Sequence, residues 1–333
     1  GSRIGALIGA GEGSVVIGDT LSIKVYQALA AALDMRPDRK VVLSDSGNFP
    51  TDLYMAEGLL RSLDKGHELR IVAPEDVASS IDETVAAVML THVDYGTGRM
   101  YDMAEITRLT HAAGAISIWD LAHSAGALPV DLAACDVDFA TGCTYKYLNG
   151  GPGAPAFVYV KPELQDIARP ALSGWLGHEA PFAFDLDYRP AHGIERMRVG
   201  TPPVIQMAVL DAALDVWDAV DMADIRARSI ELSEAFIAAV EAGSDKVELA
   251  SPRDPVLRGS QVSFRFPQGY AAMQALIARG IIGDFRAPDR MRFGFCPLYN
   301  TPDEVRDAAA ALCEIVEKDE WNRPEFLKRE AVT

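Results

Sequence analysis

The stretch Ile116-Ser117-Ile118-Trp119-Asp120, continued by Leu121-Ala122-His123-Ser124-Ala125-Gly126, decides how the fold is read. Its first five residues form an apolar run of strand length, too short for a helix and ended by a charge. Asp120 closes the run, so its carboxylate stands at the C-terminal end of a buried strand. That edge is where open α/β sheets bind their ligands. A second run, from Phe139 to Lys146, reads as the neighbouring strand and brings Lys146 to the same edge. Alone, the aspartate reads as a turn cap and the lysine as a solvated strand end; at one edge they read as a site.

Outward from these two runs, short apolar segments alternate with amphipathic ones. Ser14–Ile17, Val41–Ser44, Val85–Thr91 and Ala156–Val160 read as strands. Helices are expected over Leu53–Leu63, Met103–Ala113 and Pro202–Asp218, and from about Ile225 to Ala242. This is the α/β pattern of a mostly parallel central sheet flanked by helices. From Gln261 onward strands and helices are shorter and read as a smaller α+β unit. The expected organisation is a large domain over residues 1–220 and a small C-terminal domain over residues 221–333.

Composition narrows the possible partners. The 333 residues are 49% hydrophobic and 24% charged, with a formal net charge of −17. Such a balance is globular, and it argues against nucleic acid or an anionic membrane as partner, because either selects clustered Lys and Arg. Cys135, Cys143, Cys296 and Cys313 are too far apart for a metal or redox motif and read as reduced thiols of a cytoplasmic protein. No apolar run has the length of a bilayer span, and no signal peptide is read at the start. Residues from Arg3 onward read as the middle of a helix, so the chain is expected to open inside a domain. No metal site is expected.

A lysine and a carboxylate at neighbouring strand ends are what pyridoxal-phosphate (PLP) chemistry needs. The amine can lose its charge in a low-dielectric site and hold an aldehyde covalently. The carboxylate keeps a pyridine nitrogen protonated, so that the ring accepts electrons from the substrate's α-carbon. A phosphate needs donors, and Gly18-Asp19-Thr20-Leu21-Ser22 at a helix start offers backbone N–H groups and two hydroxyls. Phe49, just before a second helix, is placed to stack on a ring.

The block from Trp119 to Gly126 resembles the Asp-x-Ala-His-x-x-Gly motif of fold-type I PLP enzymes related to cysteine desulfurases. Three further segments resemble the kynureninases: Asn48-Phe49-Pro50-Thr51-Asp52-Leu53-Tyr54, the stretch from Gly142 to Gly153, and Leu172-Ser173-Gly174-Trp175-Leu176-Gly177-His178. The resemblance runs from about residue 4 to the C-terminus. It implies hydrolytic Cβ–Cγ cleavage of L-kynurenine to anthranilate and L-alanine in tryptophan catabolism, leaving open a preference for the 3-hydroxy substrate.

Residue by residue, the resemblance implies that Lys146 holds the cofactor and Asp120 pairs with its pyridine nitrogen. Phe49 stacks on the ring, while Asp52, Thr91 and His123 line it. Leu21 and Ser22 bind the phosphate, aided by Tyr145, which also shuttles a proton. Trp175 and Thr201 reach the cofactor of a second subunit, implying a homodimer with shared active sites. Arg292 takes the substrate's α-carboxylate, a task suited to a guanidinium fork.

Two alternatives stay open, one of them because of a departure from the family. Kynureninases begin with a further segment, including a Gly-Asn-Ser-Leu-Gly stretch, for which this chain has no counterpart. A truncated, non-catalytic PLP-fold dimer is therefore one alternative. The other is a cysteine desulfurase or selenocysteine lyase, against which stands Tyr145, where desulfurases place a histidine before the lysine. Gly9-Ala10-Gly11-Glu12-Gly13 lacks the dinucleotide-binding spacing. His92 and His111 read as structural or surface residues, and His178 as a further candidate for the pocket.

Overall fold

The structure is a computed structural model that describes residues 1–329; residues 330–333, the end of the expected small domain, lie outside the described residues. The chain divides into two compact units. Gly1–His92 and Tyr101–Ala219 form the first. Val93–Met100 and the chain from Val220 onward form the second. The sequence reading carries the first domain unbroken to residue 220, whereas the Val93–Met100 excursion packs with the second unit.

In the first unit the strands are β1 (Val15–Ile17), β2 (Val41–Asp45), β3 (Glu68–Val72), β4 (Val85–Thr91), β5 (Ile116–Asp120), β6 (Phe139–Gly142) and β7 (Phe157–Val160). They form one sheet in the order β1-β7-β6-β5-β4-β2-β3. The five strands from β6 to β3 run parallel, and β7 and β1 close the other edge antiparallel. Every residue of β2, β4, β5 and β6 is buried, as expected of parallel strands covered on both faces. The helices of this unit are α1 (Ser2–Leu7), α2 (Leu21–Asp34), α3 (Pro50–Leu63), α4 (Met103–Ala112) and α5 (Val204–Leu214). A 3₁₀ turn over Asp215–Ala219 ends what the sequence reading takes as one long helix to Asp218.

The sequence reading passes over β3. Glu68-Leu69-Arg70-Ile71-Val72 is an edge strand with Glu68 and Ile71 exposed. Its charges suit a strand that must not pair with another chain, and they hide the apolar signal. Lys146 is the second difference. β6 stops at Gly142, and Lys146 lies four residues beyond it on a loop.

In the second unit β8 (Glu248–Leu249), β9 (Gln261–Arg265), β10 (Asp284–Arg286) and β11 (Arg290–Gly294) form an antiparallel sheet ordered β10-β11-β9-β8. It carries α6 (Met222–Gly243), α7 (Gly269–Ala278), α8 (Pro302–Glu317) and the short α9 (Pro324–Leu327). Phe236 of α6 anchors this core, its ring centroid 4.7 Å from Phe293 and 5.4 Å from Phe295. Thr301 and Glu304 make a reciprocal capping box that starts α8. The excursion is tied in by Gln261 Nε2, which donates to the carbonyls of Asp94 and Tyr95, and by Ser263 Oγ, which donates to that of Gly96.

Among the described residues no helix is long and apolar enough to cross a membrane. Nor do they contain a group of three or more His, Cys, Asp or Glu side chains able to hold a metal ion.

Candidate active site

Parallel register aligns the C-terminal strand ends. Thr91 pairs with Asp120 across β4 and β5, and Asp120 with Thr141 across β5 and β6. The Asp120 carboxylate is buried, and its Oδ1 accepts from the Ala122 N–H at 2.8 Å. Its Oδ2 meets the Thr91 hydroxyl at only 3.5 Å. Thr91 has one proton to give and lies 2.6 Å from Asn48 Oδ1, so Asp120 Oδ2 retains acceptor capacity. Asn48 Oδ1 also accepts from the Phe49 N–H at 2.7 Å, which fixes the turn carrying the Phe49 ring.

Asp52 sits in the first turn of α3, where Pro50 starts the helix and its dipole favours an acid. Only 1% of Asp52 is exposed, and among the described residues its Oδ2 has no hydrogen-bond partner. Burial, and then the charge of Asp120, push its carboxyl well above the usual carboxylate range; Lys146 opposes both. Burial raises Asp120 as well, again against Lys146. Two buried acids in one field cannot both ionise unless cationic or donor groups join them.

Lys146 is the resident cation. Its Nζ lies 3.1 Å from His123 Nε2, 6.0 Å from the centre of the Phe49 ring and 5.8 Å from that of Tyr145. Two local features place it there. Gly150 N–H donates to the Thr144 carbonyl and Thr144 Oγ1 to that of Pro155, closing the loop behind the lysine. Gly126, at φ +81°, lets the Lys146 loop approach so closely that a Cβ would stand 2.8 Å from the Tyr147 carbonyl oxygen. The aspartate, histidine and glycine of one sequence block thus do three separate jobs, the last being steric.

Burial pushes the Tyr145 hydroxyl up to about 12, with Cys143 adding to the effect. Cys143 is itself buried and pushed up to about 11, chiefly by burial. A thiol in that state is a poor nucleophile. Leu21 and Ser22 open α2 beneath Thr20, whose side chain accepts from Ile23 N–H. Asp19 holds the turn at φ +57°. Trp175 and Thr201 are exposed. Arg292, in the second unit, donates through Nε to Asp284 Oδ1 at 2.8 Å and through Nη1 to the Tyr95 carbonyl at 2.6 Å, with Nη2 also on Asp284. His178 is occupied structurally, accepting from Ala180 N–H and lying 3.1 Å from the Asp187 carbonyl.

Two contributors escaped the sequence reading. Asn48 joins Thr91, Ser44 and the Phe49 backbone, and only its place before Phe49-Pro50 hinted at this. Lys24 is 1% exposed, with Nζ on Asp19, Gln27 and the Met197 carbonyl, and it braces the turn before α2. A lysine amid the apolar residues of that helix was the available signal.

Comparison with solved structures establishes the fold. The apo cysteine desulfurase of Thermococcus onnurineus NA1 superposes with a TM-score of 0.81 at 21% identity, over 95% of this chain and 82% of that one. A cysteine desulfurase of Escherichia coli gives 0.79 at 20% identity, over 95% and 82%. The fold is that of the fold-type I PLP-dependent enzymes. Sequence comparison is more specific. The family model described as the kynureninase C-terminal domain matches residues 225–312. The kynureninase of Pseudomonas fluorescens is 49% identical over 340 aligned positions, covering 100% of this chain and 82% of its own length. That of Burkholderia pseudomallei (strain 1106a) is 48% identical with the same coverage. The chain belongs to the kynureninase family.

Proposed function

We propose that this chain hydrolyses the Cβ–Cγ bond of L-kynurenine, releasing anthranilate and L-alanine, with PLP as cofactor. The observation that carries the reading is the pair of buried acids, Asp120 and Asp52, facing Lys146. Among the described residues Asp52 Oδ2 is buried without a partner, and both carboxyls are displaced upward. A protonated pyridine nitrogen is the kind of donor such a pair lacks, and the side-chain set fits the cofactor. When bound, PLP supplies an electron sink for the substrate's α-carbon.

The residues then divide the work. Lys146 Nζ would hold the cofactor covalently, and its free amine would serve as the base for the substrate's α-proton. His123 Nε2 orients that amine. Asp120 keeps the pyridine nitrogen protonated, and Asp52 and Thr91 sustain its field. Phe49 covers one face of the ring. The N–H groups of Leu21 and Ser22 and the Ser22 hydroxyl hold the phosphate at the start of α2. Tyr145, displaced to about 12, stays protonated at neutral pH and donates to the phosphate or to the departing fragment. Arg292 takes the α-carboxylate, with Asp284 fixing the plane of its guanidinium.

Exposed apolar side chains on the first unit support a homodimer. Val204, Ile205 and Val209 of α5 are 66%, 76% and 53% exposed, and Trp175, Phe182 and Phe184 are also uncovered. A single copy leaves this apolar area in water, and a second copy would cover it and receive Trp175 and Thr201. The proposed setting is cytoplasmic tryptophan breakdown, upstream of NAD biosynthesis.

Anthranilate fluorescence after mixing PLP-loaded protein with L-kynurenine tests the reading. Wild type should give signal, and Lys146→Ala should lose on the order of 10³-fold or more. Equal turnover by both proteins would refute it.

A further inference from the structure

The first unit has a cavity of about 340 Å³, away from the strand ends that carry Asp120 and Lys146. Lys40 immediately precedes β2 and His67 immediately precedes β3, so the cavity opens at the N-terminal ends of the parallel strands. The volume suits a small ligand. Leu33, Leu63 and Pro170 form an apolar wall. Lys40, Lys65 and Arg169 supply three permanent cations against one carboxylate, Asp34. In a chain with a net charge of −17 that local excess runs against the overall balance.

Two details separate this cluster from ordinary surface charge. His67 Nδ1 is buried and, among the described residues, has no hydrogen-bond partner. Its ring is pushed toward the neutral form by burial and then by the neighbouring charges of Lys40 and Lys65. Helices α2 and α3 end beside it, and their C-terminal dipoles favour nearby cations. That effect accounts for Lys65, two residues past α3. It accounts neither for Arg169, which arrives from a separate loop, nor for the unsatisfied imidazole.

We propose that this cavity binds a small carboxylate with an apolar, ring-sized body, at a site separate from the one that holds the cofactor. The ring packs on Leu33, Leu63 and Pro170. The carboxylate accepts from Lys40, Lys65 and Arg169, and a donor tautomer of His67 Nδ1 gains the acceptor it lacks. A neutral molecule of the same shape leaves the three cations uncompensated and binds less well.

The test uses PLP-loaded full-length protein with ¹³C-labelled leucine methyls, titrated with benzoate and with neutral benzamide. The signals of Leu33 and Leu63 report this cavity, so benzoate bound at the cofactor site does not interfere. Expected are saturable shifts of both signals with benzoate, at least ~10-fold weaker binding of benzamide, and a comparable weakening in the Lys65→Glu/Arg169→Glu variant. Cofactor absorbance and turnover of kynurenine should be unchanged in that variant. Leu33 and Leu63 signals that stay still in wild-type protein, or that move equally with benzamide or in the variant, would overturn the proposal. The wild-type titration decides the matter even if the double variant fails to fold.

Discussion

Asp138 and Asp52 are both buried carboxylates of the first unit, and they are treated in opposite ways. Asp138 precedes β6, and its Oδ2 accepts from Ser117 N–H at 2.8 Å, Ser117 Oγ at 3.0 Å and His111 Nε2 at 2.8 Å. Its own N–H donates back to Ser117 Oγ. Asp52 is no less buried, yet among the described residues its Oδ2 has no partner. Asp120 lies between the extremes, with one good donor and one distant hydroxyl. A buried acid on which several donors converge, as on Asp138 Oδ2, holds structure together. One left unmet costs stability and waits for a ligand.

Breaking each side of this comparison should give opposite phenotypes. Asp120→Asn should lower kynurenine turnover by roughly 10²–10³-fold, the scale for losing one preorganised electrostatic partner. Its stability in denaturant should stay level or rise, because a strained buried charge is removed. Asp138→Ala should cost about 1–3 kcal/mol of stability by stranding the Ser117 donors, while folded protein keeps most of its activity. Matching phenotypes for the two variants would dissolve the distinction.

Asp52 sharpens it through pH. Its folded-state carboxyl is raised above the usual range, so the folded protein holds a proton that the unfolded chain releases earlier. The associated stability is present below the ordinary carboxylate pKa and is lost as pH rises through the raised value. Cofactor-free wild type should therefore lose stability relative to Asp52→Asn as pH increases across that window. Parallel curves of melting temperature against pH would contradict the assignment.

The smallest effect belongs to His111. Its hydrogen bond to Asp138 raises the imidazole above its ordinary value, with burial opposing. That contribution is complete below the ordinary histidine pKa and disappears as pH rises through the raised one. His111→Asn should cost about 0.5 kcal/mol in mildly acidic solution and progressively less toward alkaline pH, as denaturation at several pH values would reveal.

Much of this was legible in the sequence, and the reason is local. Ile116–Asp120 had to be a buried strand because its apolar residues are consecutive and its charge is terminal, and Asp120 accordingly stands at the ligand edge. The Phe49-Pro50 turn was equally clear, since proline starts a helix and forbids one before it. A lysine paired with that aspartate points to a cofactor from the sequence alone. What depended on distant partners was not legible. β3 is a strand because β2 offers it hydrogen bonds, not because Glu68–Val72 is apolar. Lys146 leaves β6 because Gly126, twenty residues earlier in the chain, admits its loop. The Val93–Met100 excursion belongs with β9 through the side chains of Gln261 and Ser263, far along the sequence. Whether a buried carboxylate is satisfied, like Asp138, or left waiting, like Asp52, is settled only when the chain brings its donors together, because hydrogen bonding depends on positions in space that residue type and spacing do not record.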